Sequence, residues 1–391
     1  MEPQNPSRTE AELTEDRARE YEGIHNRIFV VRIFMTILAL VVYQLSGASA
    51  QLAGGLDARF DHPWAWPLAN GLYILVTVFG FAAFMFPLSL YVDYILEHRY
   101  GLSKQSMEGW LLDFFKSLLF ELLLTLVFFE VIYGFLRWSP DYWWVWASIC
   151  YVLFVVVLSS LAPVLIMPLF HKIEPLDNLE LTEAVQTFVQ NAGLKVLGVF
   201  RWGLEEKTFT ANAALAGLGR TRRIILGDTM LKDYSKEEII AVLAHEVGHY
   251  KNKDMPRLIA VGALLAVAGF FIAHLVLREL VVRFGFFSPG DIGAFPVFIF
   301  CLFIFSLISM PLSNTYSRRR EFAADEFAVR TLNAAAPLVS ALEKLAAQNL
   351  ADKNPEPWIE ALLHSHPSIS RRVRRAREIE AEIQSHLRGV G

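Results

Sequence analysis

Apolar residues gather into six runs long enough to cross a bilayer, which takes about 20 residues of helix. They span Ile28–Ala53, Gly71–Val92, Leu118–Leu136, Tyr142–Met167, Leu258–Leu277 and Phe295–Leu312. Tryptophans sit at run ends (Trp64, Trp66, Trp138, Trp143 and Trp144), as interfacial belts do. The pattern predicts helices throughout, with a polar N-terminal tail over 1–27, mobile or a short surface helix. About 25 polar residues ahead of the first run leave no cleavable signal peptide to expect. Six crossings put both termini on one side. Loops opposite carry only Arg59, Arg137, Arg278 and Arg283 near the boundaries, whereas the termini's side holds Arg99, Lys104, residues 172–255 and an Arg-rich C-terminus. The positive-inside bias makes that side cytoplasmic.

Two polar pieces interrupt the runs. The first, about 172–255, opens with an amphipathic helix (Leu179, Leu181, Val185, Phe188 and Val189) that Gly193 can end. Strand-like stretches follow at Lys195–Arg201, Ala211–Ala216 and Arg223–Leu226, and Gly217-Leu218-Gly219-Arg220 suits a hairpin turn between the last two. Ser235-Lys236-Glu237-Glu238 has the form of a capping box opening another helix. The second piece continues the sixth run as helix and closes in a basic helical segment after Pro367. The division expected is a four-crossing membrane domain at 28–171 and a second domain at 172–391 holding the last two crossings, about 258–277 and 295–312.

His245-Glu246-Val247-Gly248-His249 lies on the capped helix. Positions i and i+4 share a helix face, so both imidazoles can reach one zinc ion while Glu246, off that axis, holds a water as general base. Solvated helix histidines could show the same spacing by chance. A catalytic zinc takes three protein ligands and keeps one position for water. The best third ligand is Glu321 in Ser317-Arg318-Arg319-Arg320-Glu321-Phe322-Ala323-Ala324-Asp325, with Asp325 one turn later placed to accept the outer N–H of a ligating histidine. Gly248 is small enough to let a neighbouring helix approach. Asn212, on a strand, fits pairing with a substrate backbone or an ordinary turn. His366 before Pro367 reads by itself as a helix-start histidine; in the chemistry it could help stabilise an oxyanion.

Composition agrees with a membrane protein: 54% of the 391 residues are hydrophobic, 19% are charged, and mean hydropathy is +0.36. A net charge of −4 without a basic domain gives no case for nucleic acid. Cys150 and Cys301 lie inside apolar runs, which argues against a disulfide framework or a cysteine zinc site. Glu121, Glu130 and His274 also fall inside runs, where ionisable groups face a cavity or a partner. A transporter or channel with incidental histidines would explain six crossings and intramembrane acids. It would not explain ligand residues in polar segments abutting the fifth and sixth crossings.

The joint order of motifs is similar to that of the type-1 CAAX prenyl protease family of integral-membrane zinc metalloproteases. The match rests on HEVGH, two membrane runs and SRRREFAADEFA, on Glu97–Gln105 (EHRYGLSKQ), Pro163–Pro175 (PVLIMPLFHKIEP), Thr210-Ala211-Asn212-Ala213 and Ser365-His366-Pro367. It implies an α-helical polytopic membrane protein with a small α+β gluzincin-type zinc protease domain and helices enclosing an intramembrane chamber. It also implies one Zn2+ per chain on His245, His249 and Glu321, a catalytic group of Glu246, His366 and Asp325, and substrate contacts from Asn212, Ala213 and Arg372. The expected partners are a peptide or protein substrate, prenylated or not, and the lipid bilayer. Six crossings where eukaryotic members have seven, and Ser368 after His366-Pro367, suggest a shorter, bacterial-type member. The inner membrane is then expected, or the endoplasmic reticulum if the chain is eukaryotic, with the site toward the cytoplasm. A quality-control protease cutting damaged membrane proteins would need the same zinc site.

Overall fold

A computed structural model describes residues 10–62, 64–217, 219–286 and 288–390. Among them are six helices long and apolar enough to span a membrane: Thr14–Leu45, Trp66–Arg99, Met107–Trp138, Trp143–Phe170, Asp254–Arg283 and Ile292–Leu332. Their outward residues are large and apolar, such as Phe34, Leu119, Leu153 and Leu264, all exposed as lipid-facing side chains must be. The protein is a multi-pass integral membrane protein. The first helix begins at Glu10, so the polar residues from there on are continuous with the first crossing. That crossing ends at Leu45 instead of Ala53, because Gly47 adopts φ 77° and a separate short helix, Ala48–Asp57, starts behind it.

Aromatic residues hold the membrane half together at the end away from the termini. Trp143, Tyr73, Tyr133 and Phe298 are fully buried there, and Trp143 meets Phe298 edge to face at 5.4 Å. His274 belongs to this core, accepting a hydrogen bond from the Trp143 indole at 3.1 Å. Glu121 instead lines a cavity of about 950 Å³ among the first, second, third and sixth crossings, with Arg32, Tyr43, Met85, Phe129 and Ile299. Glu130 packs beside Gly71 and is not among the cavity's lining residues.

A four-stranded sheet interrupts the helices. In order across the sheet lie β1 (Ile173–Pro175), β2 (Val199–Trp202), β4 (Arg223–Gly227) and β3 (Ala213–Ala216). β3 and β4 form the expected antiparallel hairpin, with Gly217 at φ 91° and Gly219 at φ 54° in the turn. β2 runs parallel to β4, a pairing that strand-by-strand periodicity does not reveal. β3 is left at one edge.

The helix carrying the two histidines, Lys236–Lys251, packs beneath this sheet through Ile239, Val242, Leu243 and Val247. Its capping box is complete: the Glu238 amide donates to Ser235 Oγ at 3.2 Å, and the Ser235 amide to Glu238 Oε2 at 2.7 Å. Helix Phe295–Leu332 runs unbroken from the sixth crossing into the polar half. It thereby carries Glu321 from the membrane to the histidines.

With six crossings, Asp57 and Glu180, both exposed, should lie on opposite sides of the bilayer. Single cysteines there, with Cys150 and Cys301 replaced by serine, should react with a membrane-impermeant thiol reagent from opposite faces of sealed vesicles. Reaction of both from one face would overturn six crossings.

Candidate active site

Two helices make the centre. Gly248 faces Ala324 on helix Phe295–Leu332; a Cβ built on it would stand 3.0 Å from both the Cα and the carbonyl oxygen of Ala324. Backbones this close bring the histidine face of one helix onto the Glu321–Asp325 face of the other. His245 Nε2 and His249 Nε2 lie 3.1 Å apart, His249 Nε2 is 3.2 Å from Glu321 Oε1, and His245 Nε2 is 3.4 Å from Glu321 Oε2. The three residues can offer one ligand atom each within a common 4.8 Å.

Both rings are held from behind. His245 Nδ1 meets Asp325 Oδ1 at 2.9 Å, and His249 Nδ1 meets Asp254 Oδ2 at 2.9 Å. Each of those carboxylates has its own arginine: Arg372 gives Asp325 two bonds, from Nε at 2.8 Å and Nη2 at 2.7 Å, and Arg320 Nε reaches Asp254 at 2.5 Å. Asp254 has no periodic relation to the motif. It reaches His249 because Lys253 takes a left-handed conformation, φ 53°, and reverses the chain into the fifth crossing.

A metal fits this set. Outer Nδ1–H bonds to carboxylates commit both Nε2 atoms to face one point, together with a buried Glu321 oxygen, Oε2, that lacks a well-directed hydrogen bond. Ligands at about 2.0–2.2 Å from a tetrahedral zinc lie roughly 3.3–3.6 Å from one another. The observed separations of 3.1, 3.2 and 3.4 Å are close to that spacing. Burial disfavours a charged His245, but hydrogen bonds with Asp325 and Glu321 outweigh it and push its pKa up to about 9. Metal binding must expel the His245 proton, so acid favours the proton over the metal.

Glu246 is half-buried and turns toward β3, where its Oε2 accepts a 3.4 Å hydrogen bond from the Leu215 amide. His366 is mostly exposed and sets Nδ1 2.9 Å from Glu321 Oε2. Asn212 is exposed at the head of β3, but its carbonyl already accepts from the Gly227 amide at 2.9 Å. Ala213 is the first strand residue after it. Arg372 differs from expectation: it is buried, and two of its nitrogens are engaged by Asp325, so it supports His245 through that carboxylate instead of standing free for a substrate carboxylate. The Glu97–Gln105 loop, quoted above only as a motif, braces the approach to β3. The Lys104 amide donates to the Lys207 carbonyl at 2.9 Å, and the Phe209 amide to that of Leu102 at 3.0 Å.

The chain is similar to known membrane metalloproteases along most of its length. The profile of peptidase family M48 matches residues 175–380, and that of the CAAX prenyl protease N-terminal region, described as five membrane helices, matches 6–172. The chain is 26% identical over 367 residues to the uncharacterized metalloprotease YhfN of Bacillus subtilis, spanning 93% of this chain and 85% of that one. It is 30% identical over 341 residues to the CAAX prenyl protease 1 homolog of Arabidopsis thaliana, spanning 80% and 78%. Its fold matches that of S. mikatae Ste24p with a TM-score of 0.83 over 96% of this chain and 91% of that one, at 21% identity.

Removing a carboxylate behind a ligating histidine typically lowers metal affinity about 10- to 100-fold. Asp254→Asn should do so as strongly as Asp325→Asn, measured by competition with a chromophoric chelator; wild-type affinity in Asp254→Asn would remove its role. Gly248→Ala should force the two helices apart at a cost of about 1–3 kcal/mol, read by thermal unfolding. An unchanged transition would mean that the crossing can relax.

Proposed function

The chain belongs to peptidase family M48, a family of metalloproteases, and we propose on that premise that it is a zinc endopeptidase cutting near the C-terminus of CAAX-type, membrane-anchored substrates. The observation that carries the reading is the convergence of His245, His249 and Glu321, with Glu246 standing between them and an open strand edge. His245, His249 and Glu321 hold one zinc per chain. Bound there, zinc supplies a Lewis acid and a water of lowered pKa.

The chain's own residues do the rest. Glu246 takes the proton from the attacking water at its Oε2 and passes it to the leaving amine. Asp325 and Asp254 fix the tautomer and aim of the two rings, and Arg372 and Arg320 hold those carboxylates in place. His366, beside Glu321 and open to solvent, donates to the oxygen that becomes negative as the peptide carbonyl is attacked. Asn212 and Ala213 head the edge strand; Ala213 offers its main chain to the substrate strand, whose pairing sets register independently of side chains, and Asn212 stands beside it with its exposed side chain.

Substrate class follows from setting. The ligands adjoin the fifth and sixth crossings, so an apolar anchor can rest among the helices while its peptide meets the metal. The preference for a prenyl anchor rests on relatives named CAAX prenyl protease 1. The basic-residue bias supports a cytoplasm-facing site, and the six-helix layout a bacterial inner membrane.

Glu246→Gln should keep its zinc and lose hydrolysis by about 100- to 10,000-fold, the usual span for general-base assistance. Metal analysis and a fluorogenic peptide assay on one preparation check this; wild-type turnover with zinc present would assign the base elsewhere. A farnesylated CAAX peptide should be cut faster than its unprenylated counterpart. Equal cleavage of internal sites in long unprenylated proteins would favour a quality-control role.

A further inference from the structure

Backbone groups along an antiparallel edge strand alternate, one residue facing its partner strand and the next facing outward. In β3 the register pairs Ala213 with Leu226 and Leu215 with Ile224, and the Gly227 amide donates to the Asn212 carbonyl. Asn212, Ala214 and Ala216 therefore face β4, and Ala211, Ala213 and Leu215 face the open edge. These three outward positions have different surroundings. The Leu215 amide points at Glu246. Ala213 leaves its N–H and C=O at the open edge. Ala211 is closed: Asn349 Oδ1 accepts from its amide at 3.0 Å, and Asn349 Nδ2 donates to its carbonyl at 3.3 Å.

A carboxamide that bonds both the N–H and the C=O of one residue occupies the place of a neighbouring strand's peptide group. Asn349 thus ends the edge where a paired peptide would otherwise continue. It is firmly placed. It follows helix Ala336–Gln348, whose last residue accepts from the Tyr234 hydroxyl at 3.2 Å. The next residue, Leu350, is held at φ 47° with its side chain buried against Ala18, Leu96, Tyr100 and Leu102.

Resting on the peptidase reading above, the geometry points to Asn349 as the stop that limits how far a substrate reaches beyond the scissile bond, and so as a specificity-determining residue for cleavage close to a chain end. Antiparallel pairing, the better hydrogen-bonded arrangement, runs a substrate from Leu215 toward Ala211 in its own N-to-C direction. The fragment to be released then points at Asn349. Leu215 and Ala211 are four residue steps apart, roughly 14 Å at about 3.4 Å per residue, which leaves room for about three or four substrate residues before the stop. A longer tail must leave the edge or displace a side chain held by two hydrogen bonds.

The test uses the zinc-loaded full chain and peptides identical up to the scissile bond, with tails from about two to about eight residues after it. Products are read by mass spectrometry and rates compared across the series. Wild type should cut tails beyond about four residues at least about tenfold more slowly, since each lost hydrogen bond is worth roughly a factor of two to ten. Asn349→Ala should flatten that profile while retaining zinc. Asn349→Asp, of nearly the same volume but without the Nδ2 donor, should flatten it partly and serves if the alanine variant does not fold. A change confined to tail length is something a merely structural role would not produce. A flat wild-type profile overturns the stop, as does a wild-type profile in either folded variant. No metal-dependent hydrolysis of any peptide by wild type would sink the peptidase reading, and the stop with it; hydrolysis with a flat profile sinks the stop alone.

Discussion

The approach of two helix backbones at Gly248 and Ala324 is the constraint on which the centre depends. One helix is short and rooted in the polar half; the other is 38 residues long and emerges from the membrane. Only their close crossing puts two imidazoles opposite Glu321. Any side chain larger than hydrogen at position 248 meets backbone, which cannot swing aside as a flexible side chain would. The same crossing aligns Asp325 behind His245, so Glu321 and Asp325 meet the histidines from one helix face, one turn apart.

Charge is arranged around that crossing in two matched chains, Arg372–Asp325–His245 and Arg320–Asp254–His249. Buried carboxylates without cations would be costly, and each here has an arginine as well as an imidazole. The consequence is orientational. With both outer nitrogens committed, the inner ones face one common point. Burial opposes a charged His245, and its bonds with Asp325 and Glu321 push its pKa up to about 9.

Much of this was legible in the sequence because it follows helical period. The histidine pair, the Glu321–Asp325 pair, the capping box at Ser235–Glu238 and the six apolar helices all rest on spacings of three, four or some twenty residues. Other features depend on single backbone conformations or on distant chain. Asp254 reaches His249 only through left-handed Lys253, a conformation that lysine rarely adopts and composition does not announce. The break after Leu45 turns on Gly47 within an apolar stretch that otherwise reads as continuous. β1 is too short to show a period, and Asn349 meets Ala211 across 138 residues of sequence. His274, which could have been read as lining a polar cavity, is a core residue satisfied by Trp143. Arg372, expected among the substrate contacts, is buried and anchors Asp325.

All of these relations converge on one cation site, so the coordination sphere is where the account is most exposed. X-ray absorption at the zinc edge, on the purified full chain in detergent, measures it directly. The account predicts zinc with two imidazole nitrogens and a carboxylate oxygen among its ligands, and one imidazole lost in His249→Ala. A sphere containing sulfur, or one that keeps both imidazoles in that variant, would contradict it.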